Sequence, residues 1–120
     1  MGFERFTQNK HRFKPKVSIR QNGQIGFNNG SRKKYHLDDY SHAIIYYDKD
    51  EKRIGIQLTN NSAEEGSIKI HKRSLNVALA VKSFLEFYEI RYTKTQRFDP
   101  EWHDENKMIT INLKESENKG

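Results

Sequence analysis

The sequence predicts a small, strand-rich α+β domain with two β-hairpins, one main helix over residues 75–88 and a C-terminal strand. Three observations carry this prediction. Short runs of alternating apolar and polar residues recur along the chain, separated by Gly, Asn and Asp, the pattern of half-buried strands joined by tight turns. Only one stretch places its apolar residues at helical spacing. The chain has 120 residues, 33% of them hydrophobic and 12% aromatic, which suits one domain with a thin core and argues against a disordered chain.

The elements follow in order. Residues 1–15 form a basic arm without a clean period, ending at Pro15, which lacks a backbone donor. Residues 16–113 are the folded domain, and 114–120 a polar tail. Lys16-Val17-Ser18-Ile19-Arg20 alternates, Gln21-Asn22-Gly23-Gln24 is a turn, and Ile25-Gly26-Phe27 resumes the alternation. Asn29 or Ser31 is placed to cap a short helix through Arg32–Leu37. Ala43–Tyr47 and Arg53–Leu58 flank the polar turn Asp48–Lys52, giving the second hairpin. Ser67–His71 alternates again. In the main helix, Leu75, Leu79, Phe84, Leu85 and Tyr88 form the apolar stripe, widened by Ala78, Ala80 and Val81. Ile90-Arg91-Tyr92 starts a strand, Phe98–Asn106 is a loop, and Met108–Leu113 is the last strand.

Charge is unevenly distributed. The net charge is +6, yet residues 1–34 hold nine basic residues against Glu4 alone, while residues 35–120 hold thirteen basic and fifteen acidic ones. The basic residues continue from the arm into patterned sequence and are interleaved with Phe3, Phe6 and Phe13. Lysine and arginine attract phosphate, and aromatic rings stack on exposed bases. The leading expectation is therefore a non-enzymatic nucleic-acid-binding protein, with DNA favoured. Its phosphate contacts would come from Lys10, Arg12, Lys14, Lys16, Arg20, Arg32, Lys33 and Lys34. Gln24 or Asn22 would touch base edges, and Phe13 and Phe27 would stack on single-stranded bases. A second expectation is a protein-interaction module, an inhibitor or a subunit, using the helix face at Phe84 and Phe87. A third is a small metal-dependent nuclease, which needs carboxylates converging from separate strands.

Other chemistry finds little support. There is no cysteine, so disulfides and thiolate metal sites are excluded. His11, His36, His42, His71 and His103 lack ligand spacing, and no metal is expected. Asp48-x-Asp50 has the opening of a calcium loop, but Arg53 and Thr59 stand where its glycine and closing glutamate belong. Ser83 has no nucleophile elbow around it, and Gly23-x-x-Gly26 is a hairpin spacing rather than a phosphate cradle. No cofactor and no catalytic residue is expected. Met1–Phe6 has no apolar signal core, and no apolar run reaches the roughly 20 residues that span a bilayer, so a cytoplasmic protein is expected.

Residues 16–58 resemble the AbrB-like, swapped-hairpin family of DNA-binding proteins. The resemblance rests on Val17-Ser18-Ile19, Gly23-Gln24-Ile25, then Arg32, Tyr35 and Leu37, then the hairpin Ala43–Leu58. The family's proline at the end of the second strand is replaced here by Asn28-Asn29, and its Gly-Asp pair by Asp39-Tyr40-Ser41. The resemblance implies a homodimer that meets duplex DNA through Arg20, Gln24 and Arg32, with Lys16 nearby. It leaves residues 59–120 unexplained.

Overall fold

The computed structural model describes residues 14–74 and 76–116. Among the described residues, ten short strands form two antiparallel five-stranded sheets, and two short helices accompany them. The first hairpin is β1 (Val17–Ile19) and β2 (Gln24–Phe27); the second is β3 (His42–Asp48) and β4 (Arg53–Thr59). Between them lie α1 (Asn29–Lys34) and a 3-10 turn at Leu37–Asp39. Then come β5 (Ser67–Lys69), β6 (His71–Arg73), β7 (Asn76–Ala80) and α2 (Lys82–Phe87). The chain ends with β8 (Gln96–Phe98), β9 (Glu101–His103) and β10 (Met108–Asn112). The two expected hairpins and the C-terminal strand are present.

One sheet has the order β6-β7-β2-β1-β8 and the other β5-β3-β4-β10-β9. Two chain segments belong to both. Residues 67–73 run as β5 in one sheet, bend at Ile70 and continue as β6 in the other. Residues 96–103 do the same as β8 and β9, bending at Asp99-Pro100. Proline has no N–H to continue a ladder, so a bend there suits the sequence. The pairing therefore runs round a ring, and the sheets make a flattened barrel whose strands turn its corners. Closure gives the outer strands a second neighbour over part of their length, which limits exposed sheet edge.

The barrel interior is a single apolar cluster. Val17, Ile19, Ile25, Phe27, Val77, Leu79 and Phe98 meet Ala43, Ile54, Ile56, Leu58, Ile109 and Ile111 from the other sheet. Alternation explains which residues enter, because successive side chains of a strand point to opposite faces. The two helices cover the mouths. After α1, Leu37 is fully buried and the Tyr35 ring stacks on Trp102 at 5.2 Å. At the other mouth Leu85 of α2 is fully buried, and Phe84 and Tyr88 pack against Tyr47. Among the described residues, no helix is long and apolar enough to cross a membrane.

The main helix differs from expectation. Asn76–Ala80 is a strand, and helix is confined to Lys82–Phe87. Val77-Ala78-Leu79-Ala80 is apolar at every position, so its own pattern fits either element. The free edge of β2 decides it: Gln24–Phe27 pairs with Ala80–Val77 and satisfies both backbones. Ile90-Arg91-Tyr92 is not a strand, and the expected loop 98–106 contains β9. The cap of α1 is Asn28, not Asn29 or Ser31. Its side-chain oxygen accepts from the backbone N–H groups of Ser31 and Lys16, both at 2.9 Å, tying α1 to the start of β1.

Candidate nucleic-acid interface

The outward face of the β6-β7-β2-β1-β8 sheet carries positive charge on a floor of small residues. One row of Cα partners crosses all five strands as His71, Ala78, Gly26, Ser18 and Arg97. The adjoining row pairs Arg73 with Asn76. Arg20 lies across this floor. Its guanidinium sits over Gly26, where a Cβ would come within 2.3 Å of it, and donates to the Asn76 side-chain oxygen at 2.7 Å. The Gln24 carboxamide oxygen accepts from Asn22 at 3.2 Å and from Arg20 at 3.4 Å.

A second basic group lies beside it. The last turn of α1 carries Arg32, Lys33 and Lys34, and no acidic residue stands in its first turn. Arg32 joins the two groups. It grips Asp38 through Nε at 2.9 Å and Nη2 at 2.8 Å, and it donates through Nη1 to the Arg73 carbonyl at 2.6 Å. Lys72 donates to the Asp38 carbonyl at 3.2 Å. The Arg32 hydrogen bond holds the Asp38 carboxyl below its ordinary value, against a smaller opposing desolvation effect. His71, Lys72 and Arg73 are all exposed, as are Lys33 and Lys34. The Arg32 tie sets the basic run 32–34 beside the basic run 71–73 as one strip, with Lys72 leaving β6 on the Val77 face and His71 and Arg73 on the Ala78 face.

The expected site residues divide accordingly. Lys10, Arg12 and Phe13 lie outside the described residues. Lys14 is exposed, and its carbonyl accepts from Asn28 at 2.8 Å. Lys33 and Lys34 stand on the strip. Arg20 and Gln24 belong to the adjoining sheet face, each already engaged. Lys16 is a correction: only 9% exposed, it is ion-paired with Asp99, so it braces the β1–β8 corner instead of presenting charge. Arg32 is likewise turned inward as a tie. Phe27 is a second correction, because its ring is 3% exposed inside the barrel and no base can stack on it. The barrel interior needs the apolar residue at the position that alternation assigns to it.

Sequence reasoning missed His71, Lys72 and Arg73. The signal was present: Lys69-Ile70-His71-Lys72-Arg73 places three Lys or Arg residues and a histidine within five positions. It was obscured because residues 35–120 as a whole are slightly acidic. Elsewhere, Asp99, Glu101 and Glu115 line a small recess with Thr110 and Asn112 on the other sheet. Arg53 enters the same recess, with its Nε buried and without a hydrogen-bond partner, so positive charge is already supplied there. Among the described residues, no group of three or more His, Asp or Glu side chains is placed to hold a metal ion.

No family model, curated protein or solved structure matches this chain.

Proposed function

We propose that this chain is a non-enzymatic nucleic-acid-binding protein, that DNA is its ligand, and that the strip formed by α1 and β6 is its contact surface. The observation supporting this reading is convergence. Two basic runs some forty positions apart are held together by the bond from Arg32 to the Arg73 carbonyl. Exposed cations on neighbouring rigid elements suit the spaced phosphates of a backbone better than scattered surface lysines do. Arg20, Gln24 and Asn76 would lie at the margin of the same surface, where polar groups can reach base edges.

The proposal includes the homodimer that the AbrB-like resemblance of residues 16–58 implies, and a cytoplasmic setting. Binding of a labelled DNA duplex, followed by fluorescence anisotropy across a salt series, tests the central claim. The logarithm of the affinity should fall linearly with the logarithm of salt concentration. No binding at low salt, or an affinity indifferent to salt, would refute it. Sedimentation of the free protein tests the dimer.

A protein-interaction module is the second reading, and one observation favours it. Phe87 is 77% exposed on α2, its ring edge-on to Tyr88 at 4.8 Å. Exposed aromatics of this kind are enriched at protein interfaces.

A further inference from the structure

The ring of paired strands is open on one side of one mouth. β5 pairs with β3 only at His42, Ala43 and Ile44, although β3 continues to Asp48. β6 pairs with β7 only from Asn76 to Ala78, although β7 continues to Ala80. Beyond those points the flank of β3 opposite β4 has no strand neighbour among the described residues. The reason is local. The chain that leads into β5 would occupy this lane if it stayed extended, but Gly66 has a φ of +83° and turns it away. That turn is closed by the Ser67 N–H bonding the Glu64 carbonyl at 3.1 Å and by the Ser67 hydroxyl bonding the Ser62 carbonyl at 3.0 Å.

The vacated lane opens into a groove of about 460 Å³, lined by Ile45, Gly66, Ile68, Val81, Lys82 and Phe84. Ile45, Ile68, Val81 and Phe84 make it apolar. A Cβ added at Gly66 would meet only the Ile44 side chain, at 4.0 Å, so the groove is not shut at that point. Lys82 is the one charged residue lining it, is exposed, and has no ion pair among the described residues.

We propose that this groove binds an extended peptide segment of a partner protein, which pairs with β3 along Ile45–Asp48, sets apolar side chains against Ile45, Ile68 and Phe84, and places a carboxylate at Lys82. An unpaired strand flank specifies an extended backbone, because a strand supplies the missing ladder and alternate side chains fill the pockets. The charge at the rim specifies an acidic residue. Four residues of strand span roughly 13 Å, which sets the occupant's length. The site lies on α2 and β3, apart from the basic strip, and does not depend on the nucleic-acid reading.

The test uses the full chain, labelled with nitrogen-15, and a capped synthetic peptide of alternating valine and glutamate. Saturable shifts of the Ile45–Asp48 amide signals are expected. The same peptide is also made in two N-methylated forms, one at its valine and one at its glutamate nitrogens; each keeps its side chains, and the form that loses the N–H groups facing β3 should bind about tenfold more weakly. Lys82→Glu should weaken the unmodified peptide while leaving the spectrum of the free protein dispersed. The proposal is overturned if no saturable shift occurs at millimolar peptide, or if both N-methylated peptides bind as well as the unmodified one. It is also overturned if the Ile45–Asp48 signals move with protein concentration alone, because a second copy then fills the groove.

Discussion

Neutralising Lys72 and Arg73 together is the sharpest test of the basic strip. Both side chains are exposed on β6, and neither belongs to the apolar cluster. The Lys72→Gln/Arg73→Gln variant should therefore fold as the parent does, with a stability change within about 0.5 kcal/mol. The Arg73 group that Arg32 uses is its backbone carbonyl, which survives the substitution. If each cation neutralises one phosphate, losing two makes the log–log salt slope shallower by about 2. At about 0.1 M salt that corresponds to roughly 60-fold weaker binding, or about 2.5 kcal/mol. Anisotropy titrations of a DNA duplex at several salt concentrations read both quantities. An unchanged slope in a folded variant would show that β6 touches no phosphate, and the argument from convergence would fail.

Further outcomes follow from the same structure. Phe27→Leu should cost about 1–2 kcal/mol in urea denaturation and leave the affinity of the folded protein for single-stranded DNA unchanged, since the ring is internal; a selective loss of that affinity would contradict the burial. Phe98→Ala, at a residue 1% exposed, should cost about 3–5 kcal/mol by the same assay. The hydrogen bond from Lys16 holds the Asp99 carboxyl below its ordinary value, opposed by weaker desolvation. Its folded-state pKa is depressed, so its contribution is present above the unfolded value of about 3.9 and is lost as pH falls through the folded one. Because the Asp99 side chain is 62% exposed, that contribution is about 1 kcal/mol; Asp99→Asn should lower the urea midpoint at pH 7 and flatten its decline below about pH 4. Gly23→Ala should destabilise by about 1–2 kcal/mol, since φ is +84° and the new Cβ would stand 2.8 Å from the Lys82 Cβ; a thermal melt unchanged from the parent would refute the turn geometry.

Much of the fold was legible because it is local. The β1–β2 hairpin follows from alternation on either side of Asn22-Gly23, and the β3–β4 hairpin from two apolar runs around a polar turn. Of the proposed surface, Lys33 and Lys34 could be named from the sequence as a basic run, and both side chains are exposed. His71, Lys72 and Arg73 were spelled out in the sequence, but nothing local linked them to Arg32 thirty-nine positions or more away.

By itself the sequence determined the two hairpins with their tight turns, the strands at Ser67–Lys69 and Met108–Asn112, and that positive charge gathers in the first third. Only the tertiary structure decided that Asn76–Ala80 is a strand, because an apolar run with both periods takes the form its neighbour's free edge requires. It also decided the roles of the basic and aromatic residues. Lys16 is buried against Asp99, Arg32 is tied to Asp38 and to β6, and Phe27 fills the barrel. Each of those outcomes depends on a partner distant in sequence, and burial and pairing are properties of the assembled surface, which no local pattern contains.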